Sequence, residues 1–252
     1  MELLLPENIF TRILVSAVAE KSKVNFHYFP SGLLSKKLSE TKNSVGLIPT
    51  LDLVNQKELF VSREVGISFD ESIGNSYIYF NKQEKIINEV FLGGDVSVNE
   101  GILTKILFSE TYGVDVQLSF EKTNGGSSSR NRILVGDRNF IEGNIESAIS
   151  FTEEMIELIS APYVNFVFVS KSEELLKEFH SKYRKAISLI NSSRVFEKIS
   201  AQFPSSSSEY LRENLQHVMF SFDDQDLEGI QQLLQLPYFH GILQDMIDVK
   251  FV

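Results

Sequence analysis

Short apolar runs alternate with helical stretches over the first two thirds of the sequence. Arg12 to Val18 is rich in β-branched and apolar residues, which predicts a buried strand. Leu33 to Thr41 has apolar residues at helical spacing, and Val45 to Pro49 is another apolar run, ended by a proline. Repeated strand–helix–strand units of this kind predict an α/β fold with largely parallel sheets.

A glycine-containing turn lies near the middle of this pattern. Val90 to Leu92 predicts a strand that runs into Gly93-Gly94-Asp95, and a helix follows that Gly113 is expected to end. A polar loop is expected from Asn124 to Ser129. Further strands are predicted at Phe60 to Ile67, Ser76 to Phe80, Val114 to Phe120 and Ile133 to Val135.

The last third of the sequence is mostly helical. Ser150 and Glu153 have the spacing of a capping box ahead of an apolar helix. Tyr163 to Val169 predicts a strong strand, and the spacing of apolar residues predicts helices from Ser172 onward. Two later helices are expected to begin near Ser206 and Asp223.

This order of elements predicts two lobes with a cleft between them and a helical C-terminal tail. We expect the first lobe to take residues 1–75 and 164–252, and the second lobe to take residues 76–163. The strands Ser76 to Phe80 and Tyr163 to Val169 would be the two crossings between lobes. This is the plan of type II periplasmic-binding-protein folds, which close about a hinge on a small ligand.

Composition narrows the classes of function. The 252 residues carry 24 Lys and Arg against 34 Asp and Glu, a net charge of −10, which disfavours nucleic acid and anionic membranes as partners. There is no cysteine, so disulfides and thiolate chemistry are excluded. No apolar stretch reaches the roughly 20 residues of a membrane helix, and the first residues lack a signal-peptide pattern. The expected location is the cytoplasm.

The turn before the predicted central helix is the best local candidate for a ligand site. Ser97 and Asn99 lie at that helix N-terminus, where free N–H groups favour a carboxylate or phosphate. The alternative is that either residue is only the helix N-cap. Thr50 and Asp137 each follow a predicted strand, and each is either a ligand contact or part of a turn or cap.

Neither a metal nor a cofactor is expected. No histidine lies at metal-ligand spacing to another candidate, and no nucleophile elbow is present. The expected partner is a small-molecule carboxylate, and the sequence leaves a monomer and a homodimer equally open.

Ten short segments, taken together in their order and spacing, carry a family resemblance. They are Val45–Thr50, Val65–Asp70, Asn75–Phe80, Asp95–Ser97, Tyr112–Val114, Leu134–Asp137, Ala161–Val169, Glu209–Leu211, Phe222–Asp223 and Asp226–Ile230. They resemble the futalosine-pathway enzymes of menaquinone biosynthesis, and most closely the chorismate dehydratase branch. The resemblance implies a cytoplasmic enzyme of periplasmic-binding-protein-like fold that removes water from chorismate to give an enolpyruvyl-oxybenzoate.

The same resemblance implies the site residues. Ser76 and Ser97 would be the catalytic hydrogen-bond donors, and Ser68 and Asp70 would lie near the cleft rim. Loss of water aromatises the ring, so hydrogen bonds that align the substrate and stabilise the departing hydroxide suffice without metal or cofactor. The implied substrate-binding residues are Ser16, Thr50, Asn75, Asn99 and Asp137.

Three positions depart from the family pattern. The family has an asparagine after its first strand, where this chain reads Ser16 to Glu20, and an arginine where this chain has Asn75. Glu100 lies where the family has Ser or Thr donors, and a glutamate about 4 Å from a substrate carboxylate predicts a repulsion of a few kcal/mol. The alternatives are a non-catalytic protein on the same scaffold that binds a less anionic metabolite, and an enzyme acting on a different cyclic acid.

Overall fold

The computed structural model describes residues 1–19, 24–121, 130–142, 145–190 and 193–252. The strands, in chain order, are β1 (Glu2–Pro6), β2 (Asn25–Phe29), β3 (Ser44–Pro49), β4 (Phe60–Phe69), β5 (Ser76–Tyr79), β6 (Glu89–Gly94), β7 (Gln117–Phe120), β8 (Arg132–Val135), β9 (Ile149–Ser150), β10 (Tyr163–Ser170), β11 (Val218–Ser221) and β12 (Lys250–Phe251). The helices are α1 (Ile9–Ala19), α2 (Leu34–Glu40), α3 (Val98–Tyr112), α4 (Arg138–Glu142), α5 (Phe151–Ile159), α6 (Glu173–Ile187), α7 (Ser193–Ser200), α8 (Ser205–Asn214) and α9 (Asp224–Phe239). Short 3-10 turns cover Ser31–Leu33, Thr50–Asn55, Ile145–Ser147 and Leu215–His217.

The strands form two sheets. The first has the order β11–β4–β10–β3–β1–β2, with β12 also paired to β4, and the second has the order β7–β6–β8–β5–β9. We call the elements around these sheets the first and the second lobe. The first sheet thus uses strands from both ends of the chain, and the second uses strands from its middle.

Both sheets are mixed, whereas the sequence predicts largely parallel ones. In the first sheet β1 is parallel to β2 and β3, but β10 is antiparallel to both β3 and β4. In the second sheet β6 is parallel to β7 and β8, but β5 is antiparallel to β8 and β9. β5 and β10 are each the first strand after the chain passes from one lobe to the other, so neither closes a βαβ unit within its own sheet and the direction rule of such units does not fix them.

The predicted strand at Arg12 to Val18 is wrong, because these residues lie in α1. Phe10, Leu14 and Val18 are all fully buried, and their four-residue spacing lines one face of a helix. Asn8 caps the helix by accepting a hydrogen bond from the Thr11 N–H at 2.8 Å. The β-branched residues suggested a strand, but the burial pattern of the whole segment favours the helix.

Neither strand expected to cross between the lobes does so. β5 pairs only with second-lobe strands, and β10 only with first-lobe strands. The chain crosses through residues 70–75 and returns through residues 151–162, which include α5. A strand inside a ladder has its hydrogen-bonding groups committed to one sheet, so the links lie outside the strands. The lobe boundaries at 75/76 and 163/164 stay a prediction.

Several local predictions are confirmed. Gly113 ends α3 in the left-handed conformation with φ 64°, and the Ser150 hydroxyl caps α5 by accepting from the Glu153 N–H at 3.1 Å. Asp223 and Asp226 form a capping box at the start of α9. The helix expected near Ser206 begins at Ser205, after Pro204, whereas β7 begins only at Gln117. The polar loop at 124–129 lies outside the described residues.

The core is apolar in both lobes, and an aromatic contact joins them. All eight residues of β10 are buried, as expected for a central strand covered on both faces. The Phe10 ring of α1 packs edge-on against Phe69 of β4 at 4.9 Å and against Phe140 of α4 at 6.3 Å. Among the described helices, none combines the length and the apolarity that crossing a bilayer requires.

Candidate functional site

Several polar contacts join the two lobes, and three of them lie at helix or turn ends of the first lobe. They link Arg12, Ser31 and Leu51 of the first lobe to Asp137, Asp95 and Asn99 of the second lobe. We call these six residues the junction. Every one of the three contacts uses a backbone N–H or a side chain at a helix or turn terminus of the first lobe, where N–H groups lack helical partners.

Asp95 is placed by the glycine turn after β6. Gly94 has φ 85°, and a Cβ at that position would overlap the Val135 carbonyl oxygen, so the turn requires glycine. The Asp95 carboxylate accepts the Ser31 N–H at 2.8 Å and the Ser31 Oγ–H at 2.6 Å. Burial raises the pKa of Asp95, and the two Ser31 hydrogen bonds oppose that rise. The sequence predicts that this turn binds an anion. In the structure the turn instead places its own carboxylate, that of Asp95, against the other lobe.

Asp137 lies at the N-terminus of α1. Its carboxylate accepts the Ile9 N–H at 2.8 Å and pairs with the Arg12 guanidinium at 2.8 Å. Burial raises the pKa of Asp137, and the charge of Arg12 opposes the rise. The expectation that Asp137 caps the helix following it is therefore wrong, since the carboxylate is bonded to a helix of the other lobe. A helix N-terminus attracts anions, and here a residue of the chain fills that place.

Ser76 and Ser97 meet at a buried glutamate. Ser76 Oγ donates to Glu100 Oε1 at 2.8 Å, and Ser97 donates to Glu100 Oε2 through its N–H at 2.9 Å and its Oγ at 2.7 Å. Ser97 is also the N-cap of α3, which is the role that the sequence offered as the alternative to a ligand contact. Glu100 is only 1% exposed, and burial raises its pKa despite these donors. The structure thus brings together the two predicted catalytic serines, and the residue between them is one that sequence reasoning treated only as repulsive.

Asn99 connects α3 to the first lobe, and Thr50 is hydrogen-bonded within that lobe. Asn99 Oδ1 accepts the Leu51 N–H at 2.9 Å, and its Nδ2 donates to the Asn165 carbonyl oxygen at 2.9 Å. Thr50 Oγ1 donates to the Val164 carbonyl oxygen at 2.6 Å. Both side chains are buried and already hydrogen-bonded. The Asn99 contacts join the two lobes, whereas the Thr50 contact lies within the first lobe.

Ser16 is not where its prediction assumed. It lies in the middle of α1 and donates to the Ile13 carbonyl oxygen at 2.6 Å, a bond within its own helix. The first strand is β1, and the residue that follows it at the helix start is Asn8. The residue that follows the first strand is therefore Asn8 and not Ser16. The misassigned strand at Arg12 to Val18 hid this position.

Ser68 and Asp70 face the C-terminal helices. Ser68 Oγ donates to Asp226 Oδ1 at 2.5 Å, and the bond is buried. Asp70 Oδ1 lies 3.2 Å from His217 Nδ1 and lines a cavity of about 330 Å³ with residues of α5 and α9. Their described contacts thus belong to the packing of α9 and its neighbours rather than to the junction.

Three buried asparagines near the junction have unpaired atoms. Asn8 Nδ2, Asn75 Oδ1 and both amide atoms of Asn165 have no hydrogen-bond partner among the described residues. We call these three side chains the unpaired amides. Buried polar groups are nearly always hydrogen-bonded, and an unmade bond costs about 1–3 kcal/mol. All three asparagines adjoin the contacts described above. Asn8 precedes Ile9 and Asn75 precedes Ser76 in the chain, and the backbone carbonyl of Asn165 accepts from Asn99.

Asp52, in the first lobe, is a second buried carboxyl group, and the charge of Glu100 affects its pKa. Burial raises the pKa of Asp52 to about 6, the negative charge of Glu100 adds to the rise, and a hydrogen bond from Ser35 opposes it. Counting Asp95 and Asp137, four acidic groups surround this region. The guanidinium of Arg12 is already paired with one of them.

Comparison with known proteins supports the fold. No known protein family matches the chain, and no curated protein matches it. Among solved structures, protein AF1704 from Archaeoglobus fulgidus superposes with a TM-score of 0.70 at 9% identity, covering 96% of this chain and 98% of its own. The alkanesulfonate-binding protein SsuA from Xanthomonas axonopodis pv. citri, bound to MOPS, gives 0.67 at 11% identity, with 100% and 97% covered. A putative nitrate transport protein from Thermoplasma volcanium gives 0.54 at 13% identity, with 100% and 96% covered.

These likenesses extend over nearly the full length of every chain, and two of the three proteins are binding or transport components. At identities this low they establish architecture and leave activity aside. The two sheets, their order along the chain and the superpositions agree: the chain has the two-lobed fold of the type II periplasmic-binding proteins.

Proposed function

We propose that this chain binds a small polar metabolite between its lobes, beside the junction. The observation that carries the proposal is the set of unpaired amides, since a ligand would satisfy polar atoms that the protein leaves buried and unmatched. The scaffold supports it, because SsuA, whose fold is similar, holds sulfonates. Ligands of two-lobed α/β proteins lie where loops and helix ends of both lobes meet.

Entry of a ligand requires the lobes to separate. The contacts of Asp95, Asp137 and Asn99 with the first lobe close the route to the unpaired amides. We propose that residues 1–75 with 164–252 and residues 76–163 move as two bodies about the links at 70–75 and 151–162. Hinge motion of this type is common in proteins that enclose small ligands. The cytoplasm is the proposed location.

Binding is tested with a panel that spans charge and shape. We suggest chorismate, shikimate, 3-hydroxybenzoate and 3-hydroxybenzamide, screened by thermal shift and titration calorimetry. At least one should raise the melting temperature, and Asn75→Ala should weaken it at least 10-fold, about 1.4 kcal/mol. Asn88→Ala, at an exposed position, is the control and should leave affinity unchanged. Equal affinity in the Asn75 variant and the wild type would place the ligand elsewhere.

A second candidate function is dehydration of chorismate. The specific observation in its favour is Glu100, a buried carboxyl group with a raised pKa, bonded to both Ser76 and Ser97. A carboxyl group of that kind transfers protons, and the serine hydroxyls can stabilise a departing oxygen. In the reaction a ring C–H proton and the ring hydroxyl leave as water, while the C–H electron pair completes the aromatic ring. No external oxidant or reductant is needed.

The lyase stands second because of charge. Chorismate carries two carboxylates, and the region holds Asp95, Asp137 and Glu100, with Arg12 already paired to Asp137. The carboxylates of a bound dianion would be repelled by these acidic side chains, and the Arg12 charge that could offset the repulsion is already paired. Loss of chorismate absorbance together with a product lighter by one water would establish the activity. Unchanged chorismate across pH 5–9 would exclude it and leave metabolite binding as a separate question.

A further inference from the structure

Asn165 lies at an irregular point of the most buried strand in the molecule. β10 is flanked by β3 and β4, and its register with β4 shifts between Val164 and Phe166, which places Asn165 at the shift. β-Bulges of this kind redirect one side chain and are common next to functional sites. The Asn165 side chain is 1% exposed, and both its nitrogen and its oxygen lack a partner among the described residues.

The described hydrogen bonds around Asn165 involve uncharged groups. Its carbonyl oxygen accepts from Asn99 Nδ2 at 2.9 Å, and Asn99 in turn reaches the Leu51 N–H. Tyr163, two residues earlier on the strand, is buried near Glu100, whose charge and the burial together raise the pKa of the Tyr163 hydroxyl. A buried carboxylate ligand beside Asn165 would be next to Glu100 without a compensating charge, which is costly.

An asparagine amide with both atoms free matches one kind of chemical edge. It donates from Nδ2 and accepts at Oδ1, so its best partner presents an acceptor beside a donor, as a carboxamide does. Asn75 Oδ1 and Asn8 Nδ2 supply one further acceptor and one further donor in the same region. Among these three asparagines the unpaired atoms therefore balance at two donors and two acceptors, and none of the three side chains is charged.

We propose that the ligand bound at this site carries an uncharged amide-type edge that pairs with Asn165. The inference rests on the proposed function, since it names the chemistry of the molecule that binds beside the junction. Asn165 is then the residue that selects an amide over the carboxylate of the same shape, because only the amide offers a donor and an acceptor together.

The test compares two probes and two readouts. 3-Hydroxybenzamide and 3-hydroxybenzoate share their ring and shape and differ in the edge, and saturation-transfer NMR detects weak binding of either. We expect the wild type to bind the benzamide at least 10-fold more tightly than the benzoate. In Asn165→Leu the preference should vanish while the ligand-free melting temperature rises by about 2–4 °C, because an unpaired buried amide is replaced by an apolar group of similar size.

Two further variants keep the test decisive. Asn165→Ala should also lose the preference and covers the case in which leucine fails to pack. Ser207→Ala removes an unpaired buried hydroxyl on α8 and should keep the preference for the benzamide. A benzamide preference retained in both Asn165 variants overturns the inference. Tighter binding of the benzoate overturns it too but leaves the proposed function standing, whereas no binding of any member of the panel overturns both.

Discussion

Asp95 and Ser31, 64 residues apart in the chain, are joined by two hydrogen bonds that cross from one lobe to the other. Both donors of Ser31, its N–H and its hydroxyl, are used by one carboxylate. Asp137 repeats the arrangement at the start of α1 with the Ile9 N–H and Arg12. The second lobe thus holds the first through two carboxylates placed at turn and helix termini, and the junction depends on both.

Removal of the Asp95 carboxylate should loosen this contact. Asp95→Ala leaves the Ser31 N–H and hydroxyl without their acceptor, so we expect the free energy of unfolding to fall by about 1–3 kcal/mol. Hydrogen exchange of the Ser31 amide should accelerate. Denaturant titration and exchange mass spectrometry measure both, and Asp115→Ala, an exposed acid, is the control. Unchanged exchange at Ser31 would mean that the bond does not hold the lobes.

Gly94 should tolerate no side chain. Gly94 and Gly113 both have positive φ, at 85° and 64°, but a Cβ on Gly94 meets the Val135 backbone whereas a Cβ on Gly113 meets nothing within 4 Å. Gly113→Ala should cost about 1–2 kcal/mol from the left-handed conformation alone. Gly94→Ala should cost clearly more, or prevent folding. Equal losses in denaturant titration would show that the turn after β6 adapts.

Asp52 should give the protein a pH dependence that its amide variant lacks. Its pKa is raised from 3.8 to about 6 in the folded state, so the folded protein binds the proton more tightly than the unfolded chain does. The associated stability is fully present below pH 4 and is lost as the pH rises through about 6, amounting to roughly 1–3 kcal/mol.

The comparison of Asp52→Asn with the wild type isolates this contribution, since other titrating groups are common to both. The variant should gain stability relative to the wild type as the pH rises from 4 to 7, with the Ser35 hydroxyl still able to donate to the amide oxygen. Parallel stability curves across that range would contradict the raised pKa.

Glu100→Gln separates binding from catalysis. Glutamine keeps an acceptor for Ser76 or Ser97 but cannot transfer a proton, so metabolite binding should persist within about 3-fold while any chorismate dehydration falls 10²–10⁴-fold. Glu110→Gln, at the exposed end of the same helix, should change neither. Full turnover in Glu100→Gln would remove the second candidate function as argued, because no other described carboxyl group contacts both serines.

The sequence predicts most of the described helices and strands because their signals are local, but it misses α1, α4 and α7. The end of α3 at Gly113 and the cap at Ser150 follow from residues within one turn of each terminus. Arg12 to Val18 misled because its β-branched residues outweighed a helical burial pattern that begins only at Ile9. Ser97 and Glu100 have capping-box spacing, a local signal that pairs these two residues.

The candidate site was less predictable, because its contacts join distant parts of the chain. The contact of Asp137 with Ile9 depends on how the two lobes pack against each other. Those of Thr50 with Val164 and of Ser76 with Glu100 depend on how separate elements pack within one lobe. No pattern in the sequence marks Asn165 as unpaired, since that follows from the register shift in β10. The sequence thus predicts which polar residues belong to the candidate site, but it does not predict their hydrogen-bond partners.

The most direct measurement is amide hydrogen exchange at Ile9, Ser31 and Leu51 with and without the tightest-binding member of the panel. Each of these N–H groups donates across the junction. If the metabolite binds between the lobes, exchange at all three should change together, by 10-fold or more. Exchange that changes only near Asp70 and α9, with these three amides unaffected, would place the ligand in another cavity and contradict the account.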